Sequence, residues 1–315
     1  MLSDDISDLI RQLRERGAET VALQFPAGLK RRAGDWVRAL SDAGFNVIVS
    51  GDPCYGACDL ALDSLDHADV LVHVGHTPVD RREKVIFLPY NVDFDVAVLE
   101  KAVPFLKGGT TGLVTTVQHV HLIPVMESFL KERGIDVRIA DGGGRTPLRG
   151  QVLGCCFTSA RATGAVQVLF VGTGLFHPVG IALSTGSRVV ALDPLSGTVQ
   201  EVSAEALLRR RFAVIEKARG ATSVGIIVSS KSGQCRMELA RRLAALSPDA
   251  VIVTMKEVSP DELLNLGFGC YVNTACPRLA YDDQVRFPVP VLSPQEFEIL
   301  CGVRDWDAYA IDEIP

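Results

Sequence analysis

The amino-acid sequence predicts an α/β protein built from three similar small domains. Each is a doubly wound parallel sheet, and the three form a pseudo-threefold, triangular arrangement. Three observations carry this reading. Short β-branched runs bounded by Gly, Pro or Asp alternate with helical patterns, which implies parallel strands joined by crossover helices. The order of elements recurs three times, in element order and not in residue identity. Each recurrence spans roughly a hundred residues, within the usual domain range. The boundaries fall near 107 and 221, giving domains 1–107, 108–221 and 222–315.

The first set of expected strands is Val21–Phe25, Asn46–Ser50, Asp69–Val74 and Lys84–Leu88. Helices fit between them at Lys30–Ala43 and Asp59–Leu65, and Phe94–Leu106 closes the unit. The second set is Gly112–Thr116, Asp136–Ala140, Val166–Val171 and Arg188–Leu192, with helices at His121–Arg133 and Ser203–Arg219. The third is Ser223–Ser229, Ala250–Thr254, Cys270–Asn273 and Val289–Leu292. Two helix starts are well signed. Ser259-Pro260-Asp261-Glu262 offers an N-cap, Pro at the first helical position and first-turn acids, and Ser293-Pro294-Gln295-Glu296 is a capping box.

Composition narrows the functional classes. The chain has 315 residues, 47% of them apolar, which suits a well-buried globular protein of two or three domains. No apolar run reaches the roughly 18 residues of a membrane span, and the acidic start Met1-Leu2-Ser3-Asp4-Asp5 lacks the basic region of a signal peptide. A cytoplasmic protein is expected, with cysteines reduced or metal-bound rather than in disulfides. The net charge of −6 argues against a broad nucleic-acid surface. The run Arg209-Arg210-Arg211 reads as the solvated face of a helix.

The eight cysteines carry the most chemistry. Cys54 and Cys58, Cys155 and Cys156, and Cys270 and Cys276 fall in the three successive units, each group in a Gly- or Pro-containing stretch beside a strand. Loops at strand ends are where α/β proteins keep their chemistry. Cys54-x-x-x-Cys58 matches the first two cysteines of the CxxxCxxC motif of standard radical S-adenosylmethionine (SAM) enzymes, but the third position is Ala61. A self-contained cluster in that loop is thereby unsupported, and the absence of any CxxC pair argues against a zinc ribbon. A single buried cysteine is usually a small hydrophobe. Loop thiolates from three repeated units suit a shared iron–sulfur cluster. Three thiolates on a [4Fe–4S] cluster leave one iron open for a substrate or for SAM. In the first two units the cysteine loop precedes the third strand, and in the third unit Cys276 follows it. Cys235 and Cys301 read as core positions of helices.

Two turns of small residues are candidate cradles. Gly172, Thr173 and Gly174 follow a strand, with His177 where GxGxxG would need Gly. Ser230, Lys231, Ser232, Gly233 and Gln234 follow another strand and open a helix, without a Walker A pattern. Such turns present backbone N–H groups and a helix dipole to a carboxylate or ribose hydroxyl; the alternative is an ordinary β–α turn. His119 and His121 suit hydrogen-bonded structural roles, while His73, His76 and His177 sit at strand ends and cannot be ranked by pattern. No G-x-S-x-G or HExxH motif occurs.

Four segments carry a resemblance to a known family. They are Gln24-Phe25-Pro26-Ala27-Gly28-Leu29, Asp52-Pro53-Cys54-Tyr55-Gly56-Ala57-Cys58-Asp59, Gly150-Gln151-Val152-Leu153-Gly154-Cys155 and Ala275-Cys276-Pro277-Arg278-Leu279. With them the chain resembles the archaeal diphthamide-biosynthesis enzymes, the 2-(3-amino-3-carboxypropyl)histidine synthases. The resemblance implies three α/β domains, a homodimer and a [4Fe–4S] cluster held by Cys58, Cys155 and Cys276. It implies that SAM binds the open iron and is cleaved between sulfur and the γ-carbon of its methionine moiety. The products are methylthioadenosine and a 3-amino-3-carboxypropyl radical, with an electron donor required. That radical adds to imidazole C2 of a histidine on translation elongation factor 2, the first step of diphthamide biosynthesis. The turns at Gly172–Gly174 and Ser230–Gln234 are then candidate SAM contacts, as is Arg278, which can pair with a carboxylate or form a structural ion pair. No role transfers to Cys54, Cys156 or Cys270. The runner-up reading is a quinolinate synthase-like enzyme, a three-domain protein with one cluster cysteine per domain that condenses small molecules at the open iron and needs no SAM. A noncatalytic cluster-binding subunit is the third alternative.

Overall fold

The computed structural model describes residues 2–314. The chain divides into two compact units, residues up to 92 and residues from 93 onward.

In the first unit, α1 (Leu2–Glu15) leads into β1 (Thr20–Gln24), and a 3-10 turn runs into α2 (Ala33–Asp42). β2 (Asn46–Val49), β3 (Val70–Val74) and β4 (Val85–Leu88) complete a parallel sheet of order β2-β1-β3-β4. Successive side chains of a strand point to opposite faces. Val21, Leu23, Val70, Val72 and Val74 therefore pack with Leu9, Leu13, Trp36 and Leu40, while Ala22, Leu71 and Val85 face the other side. Burial on both faces explains why these strands read as near-continuous apolar runs.

The second unit holds two further sheets. β5 (Thr111–Thr115), α3 (Ile123–Lys131), β6 (Val137–Arg138), α4 (Thr158–Ala162), β7 (Gln167–Val171), α5 (Phe176–Thr185), β8 (Arg188–Leu192) and β9 (Val199–Val202) come first. α6 (Glu205–Ala218) follows, then β10 (Val224–Ser229), α7 (Met237–Ala244), β11 (Ala250–Met255), α8 (Pro260–Leu266), β12 (Cys270–Asn273), α9 (Arg278–Tyr281), β13 (Val291–Leu292) and α10 (Pro294–Leu300). The sheets run β6-β5-β7-β8-β9 and β11-β10-β12-β13. All three sheets thus share one order, second-first-third-fourth, and each has an apolar cluster on either face. In such sheets ligand sites lie outside the carboxyl ends of the strands where the order reverses, here between the first and third strands.

Several elements differ from expectation. α1 and α5 were not anticipated, nor was β9, which pairs antiparallel with β8 through Val199, Gln200, Glu201 and Val202. The segments expected at Asp59–Leu65 and Phe94–Leu106 are 3-10 turns, Leu62–Asp66 and the pair Val96–Lys101 and Val103–Phe105, which break at Ala102 with Pro104 near the start of the second. The latter segment packs Leu99, Ala102 and Leu106 into the core of the second sheet, rather than closing the first. Arg211, expected in solvent, is 1% exposed, its guanidinium paired with Glu296 at 2.8 and 2.5 Å and donating to the carbonyls of Ala280 and Val291. α6 presents Ile215 and Ala218 to the third sheet's core, which carries Arg211 inward with them. Both expected caps form, including the reciprocal Ser293–Glu296 box. No helix among the described residues is long and apolar enough to cross a membrane.

Candidate functional site

Cys54 and Cys58 follow β2, Cys155 and Cys156 lie between β6 and β7, and Cys276 follows β12, whereas Cys270 opens β12 itself; burial divides each group the same way. Cys54, Cys156 and Cys270 are buried, whereas Cys58, Cys155 and Cys276 keep part of their surface open. No cysteine among the described residues is in a disulfide. Cys270 belongs to the core of the third sheet, where burial, and next the charge of Cys301, pushes its thiol up to about 11. Cys301 packs against that same core, as expected, but Cys235 is exposed in the loop before α7 rather than buried in a helix.

The Cys58 loop is anchored by a buried glutamine. Gln24, at the carboxyl end of β1, donates from Nε2 to the Asp59 carbonyl at 2.7 Å and accepts from the Ala61 N–H at 3.1 Å. Lys30 holds the start of the loop through the carbonyls of Gly51 and Asp52, at 2.8 and 2.7 Å. Gly56 lies where an added Cβ would come 3.7 Å from Cys58 Sγ.

Cys155 sits in a two-residue turn. Leu153 and Cys156 exchange backbone hydrogen bonds at 3.0 and 3.2 Å, leaving Gly154 and Cys155 as the central pair. The turn is small because Phe176 presses on it: a Cβ on Gly154 would meet Phe176 Cε1 at 2.7 Å. Arg278 Cζ lies 4.9 Å from the centre of the Phe176 ring, so the Cys155 turn and the segment after Cys276 share one aromatic side chain. Arg278 also forms an i,i+4 ion pair with Asp282 at 2.8 Å. His177, next to Phe176, stacks on Phe170 at 5.6 Å. Burial, and next the Arg278 charge, holds its imidazole down near 4.

Cys276 follows β12 in a turn organised by Asn273, whose Oδ1 accepts from Ala275 N–H at 3.0 Å while its Nδ2 donates to the Cys276 carbonyl at 2.8 Å. Arg236 donates to the carbonyls of Thr274 and Ala275 at 2.7 and 3.1 Å and pairs with Asp312 at 2.9 and 2.6 Å. Two residues later Ile314 N–H donates to the Cys155 carbonyl at 2.9 Å, and Glu313 pairs with Arg161. Segment 312–314 therefore grips both cysteine turns of the second unit. Sequence reasoning quoted Gln24 only as part of a family segment, without its bracing role, and missed Arg236 and Asp312, which meet only in the folded chain.

The candidate cradles separate. Gly172 and Gly174 lie in a true β–α turn at the start of α5 and line a cavity of about 240 Å³, with Asp193, Ser196, Thr198 and Gln200 opposite. Thr173 is exposed in the same turn. Ser230–Gln234, expected to open a helix, is a turn closed by Gln234 N–H to Lys231 O at 3.0 Å, and α7 starts only at Met237. Its Lys231 pairs with Glu257 at 2.5 Å, and Gly233 accepts from Arg145 at 3.1 Å. Ser230 and Ser232 are exposed, and Gln234 is buried. His121 pairs with Asp93 at 2.8 Å and His119 packs edge-on against Phe94.

Comparison with known proteins fits this geometry. The family profile of diphthamide synthesis proteins matches residues 25–311. The chain is 36% identical to the 2-(3-amino-3-carboxypropyl)histidine synthase of Pyrococcus horikoshii, across 98% of this chain and 92% of that protein. It is 26% identical to the synthase of the same name from Methanocaldococcus jannaschii, across 93% of this chain and 87% of that protein. A crystal structure of Dph2 from Pyrococcus horikoshii with a 4Fe-4S cluster superimposes with a TM-score of 0.93 at 35% identity, covering 98% of this chain and 93% of that one.

Proposed function

The chain belongs to the diphthamide synthesis protein family, and on that premise we propose that it is a 2-(3-amino-3-carboxypropyl)histidine synthase. It transfers the 3-amino-3-carboxypropyl group of SAM to imidazole C2 of a histidine on translation elongation factor 2, by a radical route. The observation that carries this reading is the division of burial among the cysteines. In each sheet's group one thiol is packed away and the other, Cys58, Cys155 or Cys276, stays open.

Those three thiolates are the proposed ligands of a [4Fe–4S] cluster, one from each sheet and each sheet the centre of one domain. Soft sulfur donors on loops outside strand ends fit such a group. When bound, the cluster supplies an electron and an iron position open to the substrate. The protein's part is presentation: a two-residue turn for Cys155, an asparagine-braced turn for Cys276 and a glutamine-braced loop for Cys58. Gly172, Thr173 and Gly174 offer backbone N–H groups at the start of α5 to the nucleoside or carboxylate of SAM. Arg278, Lys231 and Gln234 are the side chains proposed for its charged and polar ends, with Ser230, Ser232 and Gly233 shaping their turn. The same reading includes a homodimer, an electron donor and a cytoplasmic setting.

The test is anaerobic reconstitution with iron and sulfide, followed by dithionite, carboxyl-labelled SAM and elongation factor 2. Label should move to the factor, with methylthioadenosine released, and Cys58→Ala, Cys155→Ala and Cys276→Ala should each abolish transfer. Methylthioadenosine-free turnover, or an iron-free protein, overturns the reading. For the SAM contacts, calorimetry on Gln234→Ala and Lys231→Ala should show weaker binding; unchanged affinity removes that turn from the site.

A further inference from the structure

Apart from the three thiolates above, the first unit holds a second group of metal-ligating side chains. Cys54, on the loop after β2, and His73 and His76, at the carboxyl end of β3, place the Cys54 sulfur and a nitrogen of each imidazole within 4.8 Å of one another. Cys54 is 5% exposed and His73 is fully buried, while His76 keeps some access to solvent. We propose that Cys54, His73 and His76 bind one divalent metal ion of the zinc class, with a fourth position open to water.

The hydrogen bonds around His73 prepare it as a ligand. The Gln24 amide is fixed at both ends, since Nε2 must donate to the Asp59 carbonyl and Oε1 must accept from the Ala61 N–H. Oε1 therefore also accepts from His73 Nδ1 at 2.8 Å, and that nitrogen carries the proton. His73 Nε2 is left with its lone pair, facing His76 Nδ1 at 2.9 Å. Metal-bound histidines almost always donate their other N–H to an outer partner in this way, which fixes tautomer and ring orientation.

One thiolate and two imidazoles form a donor set that suits zinc, and three protein ligands with an open position is a recurrent zinc arrangement. Tetrahedral zinc with bonds of about 2.0–2.3 Å sets donor separations of about 3.3–3.7 Å, so small side-chain rotations suffice. The ion displaces the thiol proton of Cys54, and the proton on His76 moves to whichever ring nitrogen stays unligated. One proton is released per ion bound. Access is through the partly exposed side of His76. A bound ion would tie the loop after β2 to the end of β3.

The test uses the full chain carrying Cys58→Ala, Cys155→Ala and Cys276→Ala, which removes the proposed cluster thiolates. After chelator treatment and titration with cobalt(II), one equivalent should give the visible bands of tetrahedral cobalt and a thiolate-to-cobalt charge-transfer band. Zinc should displace it. Adding Cys54→Ser should abolish the charge-transfer band, and adding His76→Gln should weaken binding by at least the roughly 10–100-fold loss typical of outer partners. Gln24→Leu should weaken it about 10–100-fold with the bands retained. Circular dichroism of each variant separates lost ligation from lost folding. The proposal is overturned if the triple variant, folded, binds no cobalt, or if Cys54→Ser leaves the charge-transfer band in place. Because this readout involves no SAM and no cluster, it stands or falls apart from the transferase activity.

Discussion

Arg236 and Asp312 form a two-bond ion pair at 2.9 and 2.6 Å, and the same guanidinium holds the two carbonyls that immediately precede Cys276. The Asp312 side chain is 1% exposed and that of Arg236 11%, so the pair is largely out of water. Its neighbour Ile314 holds the Cys155 carbonyl, which makes this pair the common support of both cysteine turns in the second unit.

Removing one partner leaves the other charge buried and alone, which costs about 3–5 kcal/mol. Asp312→Ala is expected to lower unfolding stability by that amount in a denaturant titration. It should also lower the iron bound after reconstitution, whereas Glu205→Ala, on an exposed surface pair, should change neither.

Gly154→Ala places a methyl group 2.7 Å from the Phe176 ring. Overpacking of this kind costs about 1–3 kcal/mol, and the displaced turn carries Cys155. Thermal unfolding should shift down, and the double variant with Phe176→Leu should recover part of both stability and iron binding.

The Arg211–Glu296 pair joins α6 to α10, and Glu296 also accepts from Ser293 N–H at 2.8 Å and from Tyr309 at 2.9 Å. Glu296→Ala should cost about 3–5 kcal/mol because it strands the buried guanidinium. Replacing both residues by apolar ones of similar volume should cost less than the two single changes combined, a difference read from a double-mutant cycle.

His177 titrates near 4 when folded and near 6.5 when unfolded, chiefly because it is buried. Between those values the unfolded chain binds more protons, so stability from this group is whole above pH 6.5 and is lost as pH falls toward 4. The wild type should lose at most about 3 kcal/mol more than His177→Gln over that interval. Parallel pH curves for the two proteins would contradict this.

The three sheets were legible because their central strands are buried on both faces and read as near-continuous apolar runs, broken only by His73 in Val70–Val74 and by the leading Gln167 in Gln167–Val171. β9 was not, since Gln200 and Glu201 are exposed on an edge strand and leave no apolar pattern. The expected strand Asp136–Ala140 pairs only at Val137–Arg138, just before a glycine run. Arg211 was misjudged for a related reason: the three arginines 209–211 are identical in sequence, and only angular position on α6 relative to Ile215 and Ala218 decides which one turns inward. At the site, the cysteine loops were visible as motifs. Their supports were not, because Arg236 and Asp312 are 76 residues apart and meet only in the folded chain.

The sheets repeat, but the cysteines do not repeat with them. Cys58 and Cys155 lie on the crossover between second and third strands, and Cys276 lies after the third. Three sheets of one strand order therefore carry the three proposed ligands on different backbones: a loop tied to Gln24, a tight turn, and a stretch leading into α9. Three irons held this way would differ in hydrogen-bond supply, and with it in redox character. Exchanging one cysteine for serine at each position in turn should yield three distinct spectroscopic signatures instead of one repeated three times.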